Sequence, residues 1–311
     1  MAQTNFPLPA GFMLENYRIE RQLSHGGFSI VYLAHDAEET PVAIKEYLPN
    51  SLALRGPDAV MPTITAEHQV AFNHGLKCFF EEGRAVAKLD HPYLVRVTDF
   101  FRANGTVYLA MRYERGRTLQ EHVQHHAGPI KGHFLRELFA RLLDGLDEVH
   151  SNGLLHLDIK PGNILLRNDD SPVLLDFGAA RQALQVEGEN LKGMYTPGYA
   201  APEQYGRRDL LGPWTDLYAI GASMYASLSG SAPPNADQRL ARDELEPARR
   251  RWRGQHPANF LALIDHCLVL DHVRRPRDAR ELQLALLDGT PPPGFEQSLL
   301  GRLRGLITTR S

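Results

Sequence analysis

The chain has 311 residues, 43% hydrophobic and 23% charged, with a formal net charge of −3. That is enough for one two-lobed domain or two small ones with a sizeable core, and the charge balance argues against a general nucleic-acid binder. No apolar run approaches the roughly 18 residues of a membrane span. The opening MAQTNFPLPAGF lacks a basic-then-apolar signal pattern. Cys78 and Cys267 stand far apart, in apolar helical surroundings and not in metal-ligand spacing. A cytoplasmic, reducing location is the expectation.

Residues 1–16, with Pro7, Pro9 and Gly11, read as an extended lead-in. From Tyr17 the segments YRIERQL, SIVYLAHD and PVAIKEY alternate or run apolar between turn residues, which predicts strands. A helix follows over about Phe72–Leu89, carrying Phe72, Leu76, Phe79, Phe80, Val86 and Leu89. LVRVTDFF and TVYLAMRY then read as a hairpin turning at Asn104–Gly105. A small antiparallel lobe over 17–111, a hinge over 112–116 and a larger, mainly helical lobe over 117–288 are predicted, an α+β bilobal architecture. In the second lobe, Leu135, Leu138, Leu142, Leu146 and Val149 share one helix face. Trp214–Ser229 and Ala258–Leu270 read as further buried helices. A cleft between two lobes is a usual place for a small-molecule site. The run Arg249–Arg250–Arg251–Trp252–Arg253 reads as a solvated helix face or as a docking patch for an acidic partner. The tail, 289–311, opens on a helix-breaking Gly-Thr-Pro-Pro-Pro-Gly linker.

The chemistry concentrates in His156–Asn163, HLDIKPGN, and in Asp176–Phe177–Gly178 beyond it. An Asp, a Lys and an Asn on one short loop, followed by a second Asp after the apolar Leu174–Leu175, are the groups that hold metal ions, a triphosphate and a hydroxyl nucleophile together. Asp158 taken alone is also a plain turn-forming residue before Pro-Gly. Lys45, at the end of the apolar VAIK, needs a partner if buried. Glu82 in FEEG, on the helix that follows, is the natural one.

With Ala201–Pro202–Glu203 downstream, these motifs make the chain resemble the eukaryotic-like protein kinase family over roughly Tyr17–Leu287, and TPGYAAPEQY with GPWTDLYAIGA is similar to its bacterial Ser/Thr members. The resemblance implies the bilobal protein-kinase fold. It implies Asp158 as the residue that accepts or orients the substrate hydroxyl proton and Lys160 as a neutraliser of the transferring phosphoryl group. Asn163 and Asp176 would ligate Mg²⁺, with Mn²⁺ as a substitute, and the Lys45–Glu82 pair would engage the ATP phosphates. Leu23–Val31 aligns with the glycine-rich loop, contributing Leu23, Ser24, Gly26, Gly27, Ser29 and Val31, but serines at 24 and 29 replace two glycines. Backbone groups after Met111, over Arg112 to Glu114, would bind adenine, with Ala43 and Leu165 against the ring. Thr196 would reach the catalytic Asp and Lys. Glu203 would pair with Arg275 and Asp216 would brace the catalytic loop, where His156 and Phe177 hold structural places.

Two departures stand out. Leu157 occupies the position where many kinases carry an Arg that receives an activation-loop phosphate, and Gly178–Met194 contains no Ser, Thr or Tyr. Activity independent of activation-loop phosphorylation is therefore expected. The stretch between Lys45 and Glu82 is also longer than the family usually spends. Its LPNSLALRGPDAVMP reads as a small hairpin beside the helix, as a surface insertion or as a regulatory contact. Three functions compete. An active protein Ser/Thr kinase in bacterial signalling, with protein substrates and a regulatory partner, is favoured by the full catalytic set. A pseudokinase scaffold is favoured by the degraded glycine loop. A small-molecule kinase is opposed by the peptide-docking segment Thr196–Glu203.

Overall fold

The computed structural model describes residues 5–126, 128, 130–177 and 195–288. They fall into two compact units. The first runs up to Arg115 and takes in Phe177; the second comprises Gly116–Asp176 and the residues from Tyr195 on. The activation-loop segment 178–194 and the tail 289–311 lie outside the described residues.

In the first unit, β1 (Met13–Leu14), β2 (Tyr17–His25), β3 (Ser29–His35), β4 (Pro41–Tyr47), β5 (Val97–Ala103) and β6 (Thr106–Arg112) form an antiparallel sheet in the order β1-β2-β3-β4-β6-β5. The β5–β6 turn places Asn104 at φ 50° and Gly105 at φ 71°. Positive φ at both central residues is what a tight right-twisting hairpin demands, and Asn-Gly supplies it at least cost. Helix α1 (Gln69–Val86) packs on β6 through Gly83, where a Cβ would stand 2.2 Å from Leu109 Cδ2. Its Phe72 and Phe79 rings lie 5.3 and 5.5 Å from Tyr47 of β4.

Residues 5–16 are integrated into this unit. Leu8 and Leu14 join its core, and buried Asn5 donates to the Leu48 and Ala53 carbonyls while accepting from Arg55 N. The long stretch after β4 is not a surface insertion. Leu54 and Thr63 exchange backbone hydrogen bonds of 3.0 and 2.8 Å, Leu48, Leu52 and Ala53 are buried, and Arg55 is fully enclosed. An arginine can be buried only when its charge and donors are matched. Here Glu46 of β4 matches them, with Oε1 and Oε2 accepting from Arg55 at 2.6 and 2.7 Å.

In the second unit, β7 (Gly116–Thr118), β8 (Ile164–Arg167) and β9 (Pro172–Leu174) form a small antiparallel sheet. Gly116 is required there, since a Cβ would come within 2.0 Å of the Leu166 carbonyl oxygen. A capping box closes the start of α2 (Leu119–His125): Thr118 Oγ1 accepts from Glu121 N, and Glu121 Oε2 accepts from Thr118 N. Helix α3 (Gly132–Ser151) buries one apolar face, including Leu135, Leu138, Leu142, Leu146 and Val149. Helix α4 (Pro213–Ser229) carries only Asp216 as a charged residue and is buried almost all round, so it forms the spine of this unit. After the short α5 (Ala236–Ala241) and α6 (Ala248–Arg251), α7 (Ala258–Cys267) packs against α4 and α8 (Ala279–Asp288) against α3. The basic run at α6 is partly structural. Arg249 pairs with Asp265 at 2.9 Å, and the Arg251 guanidinium stacks over Trp252 and Tyr225. Among the described residues no helix is long and apolar enough to cross a membrane.

Candidate active site

The loop between α3 and β8 carries the reactive groups. Its backbone is set first. Asp216, fully buried near the start of α4, accepts from His156 N at 2.9 Å and Leu157 N at 2.8 Å, and from His150 Nε2 at 2.9 Å. Burial opposes ionisation of Asp216, but the hydrogen bond and charge of His150 with the His156 contacts outweigh it and hold the carboxyl below its ordinary value. Leu157 is thereby held at φ 64°, a region costly for a side-chain-bearing residue, and its carbonyl accepts from Gln204 Nε2 at 3.0 Å.

His156 follows from this. Its ring is completely buried, Nε2 lies 2.7 Å from the Leu175 carbonyl oxygen, and Nδ1 faces Asp158 N at 3.3 Å. Nε2 therefore carries the proton and Nδ1 accepts. Burial keeps this neutral form by pushing the imidazolium pKa down. The contact ties the strand end before Asp176 to the loop, as does Leu175 N donating to Asn163 O at 2.8 Å.

Asp158, 7% exposed, is the convergence point. Its Oδ1 accepts from Thr196 Oγ1 at 2.8 Å, and its Oδ2 accepts from Lys160 Nζ at 3.0 Å and Asn163 Nδ2 at 2.8 Å. Lys160 Nζ also donates to Thr196 Oγ1 at 2.8 Å. A carboxylate, an ammonium and a hydroxyl thus form a closed triangle, with Asn163 Nδ2 further fixed to the Asp158 carbonyl. With that amide nitrogen engaged, the amide oxygen of Asn163 is the atom left for a cation. Asp176 is half-buried, at φ 53°. One amide and one carboxylate oxygen fit Mg²⁺, which takes hard oxygen ligands and fills its shell with water and phosphate oxygens. Among the described residues no group of three His, Cys, Asp or Glu side chains could hold a metal ion.

Beneath the Thr196 segment, Glu203 and Arg275 pair bidentately at 2.7 and 3.0 Å, and Thr215 Oγ1 donates to the same carboxylate at 2.8 Å. Sequence reasoning missed Gln204, His150 and Thr215. Each sits beside a residue that was singled out or ends the helix before the loop, and none carries a motif of its own.

In the first unit, Lys45 is buried on β4 with its ammonium 5.6 Å from the centre of the Phe79 ring of α1. Glu82 on the same helix is half-buried, whereas Glu81 is exposed and paired with Arg84. Leu23 and Ser24 lie on β2, Ser29 and Val31 on β3, and Ser24 pairs with Val31. Gly26 and Gly27 form the turn between them; neither has positive φ nor a close neighbour that excludes a Cβ. Ala43 pairs with Met111 across β4 and β6, and Arg112 forms an ion pair with half-buried Glu114 at 3.3 Å. In the second unit Leu165 lies on β8 opposite Thr118 and Val173. Phe177 is buried.

Comparison with known proteins matches these features to one family. The family model described as the protein kinase domain matches residues 17–284. The serine/threonine-protein kinase PknL of Mycobacterium tuberculosis is 31% identical over 245 residues, 77% of this chain and 56% of the relative. The serine/threonine-protein kinase ATG1c of Arabidopsis thaliana is 29% identical over 84% of this chain and 33% of its own length. The chain thus spans between a third and just over half of these relatives. Among solved structures, the apo form of PpkA-294 superposes with a TM-score of 0.82 at 34% identity, covering 90% of this chain and 99% of that one. The Mycobacterium tuberculosis PknI kinase domain shares the fold at 22% identity and a TM-score of 0.66. The catalytic loop braced from α4 and the antiparallel sheet bearing Lys45 are therefore those of a kinase: the chain belongs to the protein kinase family, as a domain of the bacterial Ser/Thr type.

Proposed function

We propose that this domain is an active protein serine/threonine kinase, transferring the γ-phosphate of ATP to Ser or Thr hydroxyls of protein substrates in bacterial signalling. The observation that carries the reading is the Asp158–Lys160–Thr196 triangle: Asp158 accepts a hydroxyl proton from Thr196 and Lys160 donates to the same oxygen. A substrate hydroxyl presented to Asp158 would meet the same acceptor, and Lys160 would face the phosphoryl group it attacks. Bound Mg²⁺, or Mn²⁺ in its place, would neutralise phosphate charge, with Asn163 and Asp176 as its protein ligands. Lys45, partnered by Glu82, would contact the α- and β-phosphates. Backbone groups over Met111–Glu114 would bind adenine, with Ala43 and Leu165 against its faces and the Leu23–Val31 turn over the phosphates. Leu157 offers no cation to an activation-loop phosphate, so activity would not wait on one. A partner protein would then be the natural source of control.

The test is incubation of the pure chain with labelled ATP, Mg²⁺ and a generic basic protein, followed by phosphoamino-acid analysis. Label is expected on Ser and Thr. Asp158→Asn should lower the rate about 10²–10⁴-fold with an unchanged melting temperature. A variant that keeps more than about a tenth of the rate would remove Asp158 from its role.

A further inference from the structure

Lys45 and Glu46 are neighbours on β4, so they point to opposite faces of the sheet. Lys45 faces Phe79 of α1. Glu46, fully buried, has both carboxylate oxygens saturated: Arg55 donates to each, Tyr32 donates to Oε2 at 2.7 Å and Tyr108 to Oε1 at 2.7 Å. Tyr108 stands directly across from Glu46 on β6, and Tyr32 lies on the same face of β3. Arg55 is itself pinned from outside the sheet. Its Nε donates to the Phe6 carbonyl at 2.8 Å, and its backbone N to Asn5 Oδ1 at 2.6 Å. The same stretch reaches the turn between β2 and β3, because Leu48 N and Asn50 N donate to the Phe28 and Gly27 carbonyls, both at 2.9 Å.

A strand that slips by one residue turns every side chain to the wrong face. A carboxylate with four directed donors, drawn from two neighbouring strands and from the segment after β4, pins β4 in register and depth at the residue adjoining Lys45. We propose that Arg55 is a positioning residue for Lys45, acting through Glu46, and that the stretch Leu48–Pro62 is retained as a back-face brace of the phosphate-binding lysine. This rests on the reading of Lys45 given above.

The experiment is a double-mutant cycle in kcat/KM for ATP, using Arg55→Lys, which keeps the charge and loses the bidentate fork, with and without Lys45→Met. Arg55→Lys should lower kcat/KM about tenfold when Lys45 is present, since small misplacements of a positioned group cost that much or more. In the Lys45→Met background it should change the residual rate less than about twofold, because the group being positioned is gone. An equal loss in both backgrounds, or no loss in the first, overturns the proposal and leaves Arg55 a stability element only. If Lys45→Met itself turns over normally, the reading of Lys45 fails, and that outcome is visible without any Arg55 variant. Should Arg55→Lys fail to fold, Tyr108→Phe is read in the same cycle. It deletes one hydrogen bond to Glu46 and no charge, and a smaller loss confined to the Lys45 background is expected.

Discussion

Among the described residues each unit holds one bidentate arginine–glutamate pair shielded from water, Glu46–Arg55 in the first and Glu203–Arg275 in the second. They differ at the carboxylate. In the first, the carboxylate is saturated, with two tyrosine hydroxyls added to the guanidinium. Both guanidiniums are fully engaged: Arg55 also donates to the Phe6 and Val60 carbonyls and to the Tyr32 hydroxyl, and Arg275 to the carbonyls of Val269, Trp214 and Leu270, lying over the Tyr218 ring 4.9 Å from its centre; but among the described residues Glu203 has only Thr215 besides its arginine. A buried pair returns little net stability because desolvation offsets attraction, but breaking one leaves an uncompensated charge. The cost of breaking each pair therefore depends on which partner is removed and on what the survivor still holds.

The largest expected effect is Arg275→Ala. It leaves Glu203 with one donor and three carbonyls without theirs, and should destabilise the protein by about 3–5 kcal/mol. Arg55→Ala takes a donor from the Phe6 and Val60 carbonyls but leaves Glu46 with both tyrosines, and should cost less. Urea melts of the two variants check the order, and a larger loss for Arg55→Ala would break the comparison. Smaller effects sharpen it. Tyr108→Phe and Thr215→Val each delete one hydrogen bond to a buried carboxylate, at about 1–2 kcal/mol. Tyr108→Phe should be more severe in the Arg55→Lys background than alone, as double-mutant cycles of shared partners show.

The smallest effect concerns acid. Burial lowers the pKa of His122, His156, His256 and His266, all in the second unit. The unfolded chain takes up protons at its ordinary histidine value of 6.5 while the folded groups resist, so stability is full above that pH and declines as pH falls below it. Asp216 adds a further loss only below its ordinary 3.8. Calorimetry between pH 7 and 5 should show the decline, and His156→Asn should flatten it; an unchanged slope would take His156 out of the account.

How far these features could be read in advance depends on how local they are. HLDIKPGN carries its chemistry within one loop, and the Asn104–Gly105 hairpin needs only two residues of positive φ, so both stand in the linear pattern. The Glu203–Arg275 pair spans a long separation and was accessible only through the family resemblance. The Glu46–Arg55 network was invisible to both routes. An arginine beside Gly-Pro-Asp has the composition of an exposed turn, and Tyr32 and Tyr108 look like ordinary strand residues. Nothing in their order reveals that four polar groups meet. The packing of the lead-in escapes the sequence for the same reason, since Asn5 has meaning only beside Arg55.

The left-handed Leu157 bears on how such a chain evolves. Its N–H is claimed by Asp216 and its carbonyl by Gln204, so the catalytic loop is shaped by side chains reaching in from elsewhere, while the residue's own side chain takes no part in either bond. Geometry and identity are uncoupled at this position. A lineage can trade an arginine for a leucine there without redrawing the loop that carries Asp158. Proline, which can neither take a positive φ nor donate to Asp216, and residues branched at Cβ, which the positive φ penalises most, lie outside that freedom.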